Sequence, residues 1–366
     1  MKKLFFSIFI LALMLSACTS KSPATTQNPS ATEPKKPQRT QAPQATEEVI
    51  IQGRSERRCG DGVCDGPENA KKCPADCKAG STAPGGTVPT RPTALPAPAM
   101  TTPGENGLVS AGEPDTYWVT NPTSGAQLWV QILHPADWNG SPLPTLVTVS
   151  GGTGPGDPRK GQNLAKHGFT VVVFDADGRG HSQGTEDQNG YIQQDGLAAI
   201  IRAIATLPDV DADQIGLVSY SYGITMASGA LARYPDLPVK FLIDWEGPAD
   251  RFDTTVGCTP QSGRNKWPDC NDEAAWAQRE AVTFIAQVRV PYQRIQSEID
   301  HVQPDVSNAI SMINAAVEGG VPWVRLNDYP PNQTYDLNNP PAMIPEENDR
   351  GMEVMVAKYA QELFGL

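Results

Sequence analysis

One serine stands in a spacing that suits a nucleophile. Ser221 lies at the centre of the run Ser219-Tyr220-Ser221-Tyr222-Gly223, with a small residue two positions away on each side. Such a run is typical of a strand that turns sharply into a helix and holds its central residue in a strained conformation. A serine hydroxyl is too weak an acid to attack an acyl carbon unaided, so an imidazole must take its proton and a carboxylate must orient that imidazole. The chain must therefore also supply a histidine and an acid near this serine.

The chain contains four histidines, and one of them follows an acid directly after a predicted strand. That residue is His301, which comes after Asp300. His134 ends a predicted strand, and His167 lies near the end of a predicted helix, where a positive ring suits the helix dipole. His181 lies in a Gly-rich turn and is interpreted as a structural loop residue. His301 is therefore the predicted general base.

The acid that orients His301 stays open between several carboxylates. Neighbouring side chains on extended backbone point to opposite sides, so Asp300 and His301 do not both reach Ser221 unless the chain turns there. Asp244 and Glu246 follow another predicted strand and are the alternative acids, although a salt-bridged structural role is equally open for them. If His301 does not reach Ser221, the site has no base and the domain is a surface binding protein.

The elements that must position these residues begin near residue 108, where short apolar runs alternate with segments of helical periodicity. Short apolar runs bounded by turn residues are typical of strands buried on both faces. The predicted strands are 117–121, 128–133, 143–149, 169–174, 215–219, 239–243, 292–296 and 323–326. The predicted helices are 159–167, 191–207, 224–234, 274–288, 305–318 and 346–364. This alternation predicts an α/β domain over 108–366, with a mostly parallel eight-stranded sheet and helices on both faces.

The domain resembles the α/β-hydrolase superfamily, in the type of dienelactone hydrolases and prolyl oligopeptidase catalytic domains. The run around Ser221 follows the fifth predicted strand, where that family has its nucleophile. The segment Asp175-Ala-Asp-Gly-Arg-Gly-His-Ser182 is similar to the family's turn after the fourth strand. The resemblance covers about residues 115–366. It implies a serine hydrolase that cleaves carboxylic esters or related acyl bonds through an acyl-Ser221 intermediate, with a peptidase as a further alternative.

The resemblance also implies where the remaining site residues lie. Gly151 and Gly152 follow the third predicted strand, where glycines let backbone N–H groups face a developing oxyanion, and the N–H of Tyr222 is the expected second donor. Asp300 takes the place of the family's acid after the seventh strand. The family's base should follow the eighth strand, but no histidine occurs after position 301. The sequence therefore departs from the family at the position of the base. No metal or cofactor is expected at this site.

The first residues have the pattern of an export signal. Lys2 and Lys3 precede an apolar run that is too short to span a bilayer, and Leu15-Ser-Ala-Cys18 resembles a bacterial lipobox. A signal peptide is expected over 1–17, with lipidated Cys18 as the first mature residue. Acyl chains hold a protein on a membrane without a spanning helix, so a lipid-anchored, extracytoplasmic protein at the cell membrane or surface is expected.

Setting Cys18 aside leaves six of the seven cysteines, an even number that suits disulfide pairing outside the cytoplasm. Cys59, Cys64, Cys73 and Cys77 form a predicted disulfide-rich module over 51–78, between a flexible tether at 18–50 and a Pro/Gly/Thr-rich linker at 79–107. Acidic side chains in this module offer oxygen ligands to Ca²⁺, although solvated acids are the favoured interpretation. The module is expected to dock to a cell-surface polymer or to act as a spacer.

The remaining two cysteines, Cys258 and Cys270, enclose a short loop and are expected to form a disulfide. A bridge of this size removes about 3 kcal/mol of unfolded-state loop entropy. The loop belongs to a predicted lid over 250–288, where Trp267 and Trp276 either face a cleft or form the core of the lid.

The charge balance excludes one class of partner. Asp and Glu number 41 against 29 Lys and Arg, which gives a formal net charge of −12. A chain this acidic repels phosphate backbones, so nucleic acid is not an expected partner.

Overall fold

The computed structural model describes residues 108–110, 112–113, 115–251, 268–301, 305–345 and 351–365. The predicted signal peptide, lipidated cysteine, tether, Cys-rich module and linker all lie outside these residues, so their boundaries and pairings stay predictions. None of the helices in the described ranges has the length and apolar character needed to cross a bilayer.

A single sheet of nine strands organises the described domain. The strands are β1 (Leu108–Ser110), β2 (Thr116–Thr120), β3 (Gln127–Leu133), β4 (Leu143–Val149), β5 (Thr170–Phe174), β6 (Val210–Tyr220), β7 (Phe241–Trp245), β8 (Tyr292–Ile295) and β9 (Val324–Leu326). All eight predicted strands are present. The sheet has one further strand, β1, whose three residues are too few to give a recognisable pattern in the sequence.

The strand order is β1-β2-β3-β5-β4-β6-β7-β8-β9. Strands β1 to β3 and the β3–β5 pair are antiparallel, whereas β5, β4, β6, β7, β8 and β9 run parallel. The carboxyl ends of β4, β6, β7 and β8 therefore meet along one edge of the sheet. Ligand sites of open parallel sheets form at this edge.

Seven helices connect and cover the strands in the described ranges. They are α1 (Pro158–Ala165), α2 (Tyr191–Ile204), α3 (Gly223–Arg233), α4 (Glu273–Trp276), α5 (Ala281–Ile285), α6 (Ser307–Glu318) and α7 (Met352–Phe364). The single helix predicted over 274–288 was wrong, since the chain forms α4 and α5 instead. Arg279, which lies between α4 and α5, donates from Nε to the backbone oxygen of Asp187 at 3.1 Å. The periodicity of the local sequence cannot predict such a tertiary contact.

The sheet separates two apolar cores, as the alternation of elements predicts. One core contains residues of α2, α3, α5 and α6, and the other contains residues of α1 and α7. Every residue of β5 is buried, which agrees with the apolar run that follows Thr170 in this strand. Helix α1 begins where Asp157 caps the backbone N–H groups of Arg159 and Lys160 and where Pro158 occupies the first turn.

Candidate active site

Ser221 occupies the turn between β6 and α3. Its φ of 51° lies in the left-handed region, which non-glycine residues rarely adopt. A Cβ on Gly223 would lie 2.7 Å from the backbone oxygens of Val149 and Ser150, so only glycine fits where α3 passes the end of β4. The strain and the small neighbour expected of this turn are both present.

His301 joins the serine to two acids. Its Nε2 lies 2.9 Å from Ser221 Oγ. Its Nδ1 lies 2.9 Å from Glu246 Oε2 and 3.3 Å from Asp300 Oδ1. The ring stacks on Trp245 with centroids 4.4 Å apart, which fixes its plane. The structure thus brings together the serine, the histidine and two of the three acids that the sequence singles out.

Both acids are buried and held by further hydrogen bonds. Glu246 is 1% exposed, accepts from the backbone N–H of Ser297 at 2.9 Å and from its hydroxyl, and accepts from the backbone N–H of His301 at 3.2 Å. Asp300 is 8% exposed and accepts from Gln296 Nε2 at 3.0 Å. Because Glu246 is closer to the imidazole and also binds the backbone of His301, we regard it as the principal orienting acid.

The two carboxylates set the protonation of the imidazole. Burial by itself lowers the pKa of His301, but hydrogen bonds to Asp300 and Glu246 and the negative charge of both raise that pKa to about 9. The protonated ring is therefore stabilised at the position where a general base must carry a proton during acyl transfer.

Asp244, the other alternative acid, does not contact His301. Its carboxylate receives Arg294 Nη1 at 2.7 Å and the hydroxyl of Tyr292 at 3.0 Å, and both members of the ion pair are fully buried. Asp244 is on β7, two residues before Glu246, and its Oδ1 lies 3.4 Å from Ser219 Oγ on β6. Arg294 also donates to Gln296 at 2.7 Å, so this ion pair supports the side chain that holds Asp300.

The predicted oxyanion loop lies against the nucleophile. A Cβ on Gly151 would be 2.9 Å from both Ser221 Cβ and the backbone oxygen of Tyr220, so this glycine permits the closest approach of the loop. Gly152 has a φ of 60°. Tyr222 directly follows Ser221 and is the N-cap residue of α3, so its backbone N–H belongs to a helix N-terminus. Gly151 therefore lies against the serine in space, and Tyr222 adjoins it in the chain.

The other histidines lie away from this cluster. His134 stacks on Trp138 and its Nδ1 lies 3.1 Å from Thr170 Oγ1. His181 contacts Asp175 in the turn after β5. His167 follows α1. None of these side chains contacts Ser221 in the described part of the chain.

An open cavity of about 480 Å³ lies over the serine. Its lining includes Gly151, Lys160, Tyr220, Ser221, Trp245 and His301. Lys160 was not predicted from the sequence. The one feature that could have indicated it is its place in the first turn of α1, the helix that follows the oxyanion loop. A ligand that enters this cavity meets the serine, the imidazole and a lysine together.

The predicted lid is described only in part. Cys270 is disulfide-bonded, whereas Cys258 and Trp267 lie outside the described residues, so the pairing of the two cysteines stays a prediction. Trp276 is 1% exposed and donates its indole N–H to the backbone oxygen of Asp269 at 3.0 Å. Trp276 is therefore buried within the predicted lid range and is not among the described residues that line the cavity.

The acids and His301 also offer ligand atoms to a metal. One atom each from Glu246, Asp300 and His301 falls within 4.8 Å of the others. Both ring nitrogens of His301 are already within hydrogen-bond distance of Ser221 and Glu246, an arrangement that suits proton transfer. We therefore assign no metal to this cluster.

A protein-family model matches part of the chain. Residues 124–305 match the family model of X-Pro dipeptidyl-peptidases (S15 family). That stretch contains Ser221, Glu246, Asp300 and His301. No curated protein matches the chain in sequence.

Solved structures share the fold at low identity. A puromycin hydrolase is 16% identical over 69% of this chain and 40% of its own, with a TM-score of 0.52. A puromycin-hydrolyzing peptidase of Mycobacterium tuberculosis is 16% identical over 68% of this chain and 38% of its own, with a TM-score of 0.50. Est1E of Butyrivibrio proteoclasticus, solved with ferulic acid bound, is 15% identical over 66% of this chain and 97% of its own, with a TM-score of 0.48.

The chain spans no more than 40% of the length of the two puromycin-cleaving proteins. What it shares with them is the sheet and helices of one domain. Together with the strand order and the turn at Ser221, this similarity defines an α/β-hydrolase domain, and the predicted fold class is confirmed. The family match covers residues 124–305, just under half of the chain, and the two puromycin-cleaving proteins share the fold at 16% identity.

Proposed function

We propose that this protein cleaves carboxylic ester or related acyl bonds through an acyl-Ser221 intermediate. The observation that carries the proposal is the position of His301, whose two ring nitrogens lie 2.9 Å from Ser221 Oγ and 2.9 Å from Glu246 Oε2. A serine, an imidazole and a carboxylate in this sequence of contacts activate the hydroxyl as a nucleophile.

Each step of the proposed reaction can be assigned to a residue of this site. His301 takes the proton of Ser221 as Oγ bonds to the acyl carbon, and Glu246, with Asp300, stabilises the imidazolium. Backbone N–H groups at Gly151, Gly152 and Tyr222 face the oxyanion of the tetrahedral intermediate. His301 gives its proton to the leaving group, and a water molecule then repeats the sequence on the acyl-enzyme, which releases the acid and restores the Ser221 hydroxyl.

The proposal is tested with short p-nitrophenyl esters and a fluorophosphonate probe. The wild-type protein is expected to release p-nitrophenol and to be labelled covalently, and Ser221→Ala is expected to lose both. His301→Ala should reduce turnover by about four orders of magnitude or more. Retained turnover and labelling in the Ser221 variant would refute the proposal.

A peptidase is the second candidate, favoured by the family match over residues 124–305. The same triad cleaves amides when the leaving amine is protonated, so the site chemistry alone does not separate the two. A panel of aminoacyl and X-Pro p-nitroanilides beside the esters decides the matter. If kcat/KM for an anilide exceeds that for the best ester, peptide bonds are the substrate class.

The alternative of a surface binding protein without catalysis was motivated by the missing histidine after the last strand. The contact of His301 Nε2 with Ser221 Oγ at 2.9 Å argues against this alternative, because it supplies an imidazole from the loop after β8. Inertness toward the ester and anilide panel, together with no probe labelling, would still favour the binding protein.

We further propose that lipidated Cys18 anchors the protein on the extracytoplasmic side of the membrane and that the module at 51–78 binds a surface polymer or acts as a spacer. The support is the sequence pattern alone. Incorporation of a labelled fatty acid that is lost in Cys18→Ala tests the anchor. Deletion of residues 50–78 should reduce polymer binding if the module docks, and should leave it unchanged if the module is a spacer.

A further inference from the structure

The cavity over Ser221 contains a lysine without a counter-ion in the described part of the chain. Lys160, on α1, lines the cavity, and its Nζ forms neither an ion pair nor a hydrogen bond with any described residue. A protein with a formal net charge of −12 has many carboxylates available to neutralise a lysine. A cation that lines a partly enclosed site and is left unpaired there is available to a ligand.

Two aromatic rings hold this ammonium group close to the reacting atoms. Lys160 Nζ lies 4.8 Å from the centroid of the Tyr220 ring and 6.0 Å from that of the Trp245 ring, within the range of cation–π attraction. Tyr220 immediately precedes Ser221 in the chain, and Trp245 stacks on His301. The positive charge is therefore placed beside the nucleophile and the base by the residues that adjoin them.

Asp157, the acid among the described residues that line the cavity, is already engaged. Asp157 Oδ1 accepts from the backbone N–H of Arg159 at 3.0 Å and of Lys160 at 3.3 Å, as the cap of α1. It also lies 3.7 Å from Arg159 Nε. Tyr220 is neutral, because burial raises the pKa of its phenol. Among the described lining residues, Lys160 is thus the lysine that remains available to a ligand beside His301.

We propose that Lys160 binds a carboxylate of the substrate, so that the preferred substrates are acyl compounds that carry a free carboxylate near the scissile bond. This inference rests on the proposed function, since it concerns the substrate of the same site. The Tyr220 and Trp245 rings complete the match, because they offer apolar contact to the carbon chain between the carboxylate and the acyl carbon.

The test compares substrates that differ only by a carboxylate in place of a methyl group. On the acyl side the pair is mono-p-nitrophenyl adipate and p-nitrophenyl hexanoate, and on the leaving-group side it is p-carboxyphenyl hexanoate and p-tolyl hexanoate. One charged hydrogen bond corresponds to about tenfold or more, so the wild-type protein should prefer one of the two anionic substrates by about that factor in kcat/KM. The pair that shows the preference tells which side of the scissile bond faces Lys160.

Lys160→Met should lower kcat/KM for that anionic substrate about tenfold and leave its neutral partner within about twofold. Lys160→Glu should reverse the preference. The matched control is Lys166→Met, since Lys166 follows the same helix, is exposed and contacts Asn163. Equal loss on the charged and neutral substrates, or a wild-type protein that does not discriminate, would overturn the inference.

A binding measurement separates failure of this inference from failure of the proposed function. In a Ser221→Ala background, calorimetry with the uncleaved anionic substrate should show about tenfold weaker binding when Lys160→Met is added. If esters are not turned over and the probe does not label Ser221, the proposed function fails, while this measurement still decides whether Lys160 binds carboxylates. If turnover and labelling are normal but binding does not change, only the Lys160 inference fails.

Discussion

Glu246 directly follows β7 and His301 lies in the loop after the adjacent parallel strand β8, and their side chains meet at 2.9 Å between Nδ1 and Oε2. Glu246 also accepts the backbone N–H of His301 at 3.2 Å, so one carboxylate holds both the ring and the backbone of the base. This double contact makes the position of the imidazole depend on the pairing of β7 with β8. The site is thus built across two strand ends, with the serine supplied by a third strand, β6.

The two acids should differ in their effect on catalysis. Glu246→Gln removes the shorter contact and leaves an amide that no longer compels the reactive tautomer, so kcat/KM should fall by about 10⁴-fold. Asp300→Asn removes the contact at 3.3 Å and should cost about tenfold. Steady-state kinetics of both variants on the best p-nitrophenyl ester measure this order. A larger loss in Asp300→Asn would show that Asp300 is the orienting acid.

The activity should rise steeply with pH. A general base acts in its neutral form, and the pKa of His301 is raised to about 9 by its two acids against the effect of burial. Below that value kcat/KM for a substrate without titrating groups should increase about tenfold per pH unit and level off above it. Removing the charge of Asp300 in Asp300→Asn should lower the pKa of His301 and move the rising limb to lower pH. A wild-type limb centred near the ordinary histidine pKa of about 6.5 would contradict this reading of the site.

The sharp turn at Ser221 could be predicted from the sequence because the rule involved is local. A small residue two positions before Ser221 and glycine two positions after it are demanded by the backbone of the turn itself, and the φ of 51° at Ser221 shows that turn. The strands were equally accessible, since each buried strand is a short apolar run. Strand β1 escaped prediction because three residues carry too little pattern.

The choice of acid was not accessible from the sequence. The rule that neighbouring side chains point to opposite sides applies to extended backbone. The chain bends after Ser297, so the side chains of Asp300 and His301 lie on the same side, with Oδ1 and Nδ1 3.3 Å apart. Glu246 and His301 are 55 residues apart, and only the pairing of β7 with β8 brings them together. The sequence alone does not show which of Asp244 and Glu246 contacts the histidine. The structure does, because Asp244 forms its ion pair with Arg294.

The ion pair beneath the site should matter for stability. Arg294 and Asp244 are fully buried at 2.7 Å, and Arg294→Met leaves an uncompensated buried carboxylate, which costs about 3–5 kcal/mol in the free energy of unfolding. The exposed pair of Lys358 with Asp328 is the matched control, and Lys358→Met should cost less than about 1 kcal/mol. Urea unfolding of both variants measures the difference. Equal effects would mean that burial does not set the contribution of the Arg294 pair.

The oxyanion loop should tolerate a methyl group at one glycine and not at another. In Gly151→Ala the new Cβ falls 2.9 Å from Ser221 Cβ and from the backbone oxygen of Tyr220, so the loop must move away from the nucleophile. In Gly154→Ala, the control in the same loop, the nearest atom is the backbone oxygen of Gly151 at 3.7 Å, an ordinary contact.

Displacing an oxyanion donor costs about 10²- to 10³-fold in kcat, so Gly151→Ala should lose about that much and Gly154→Ala less than about threefold. Circular dichroism and urea unfolding establish that both variants are folded. If Gly151→Ala retains wild-type kcat, the loop after β4 does not supply the oxyanion donor. The oxyanion would then be stabilised from the other side of the serine, where the backbone N–H of Tyr222 begins α3.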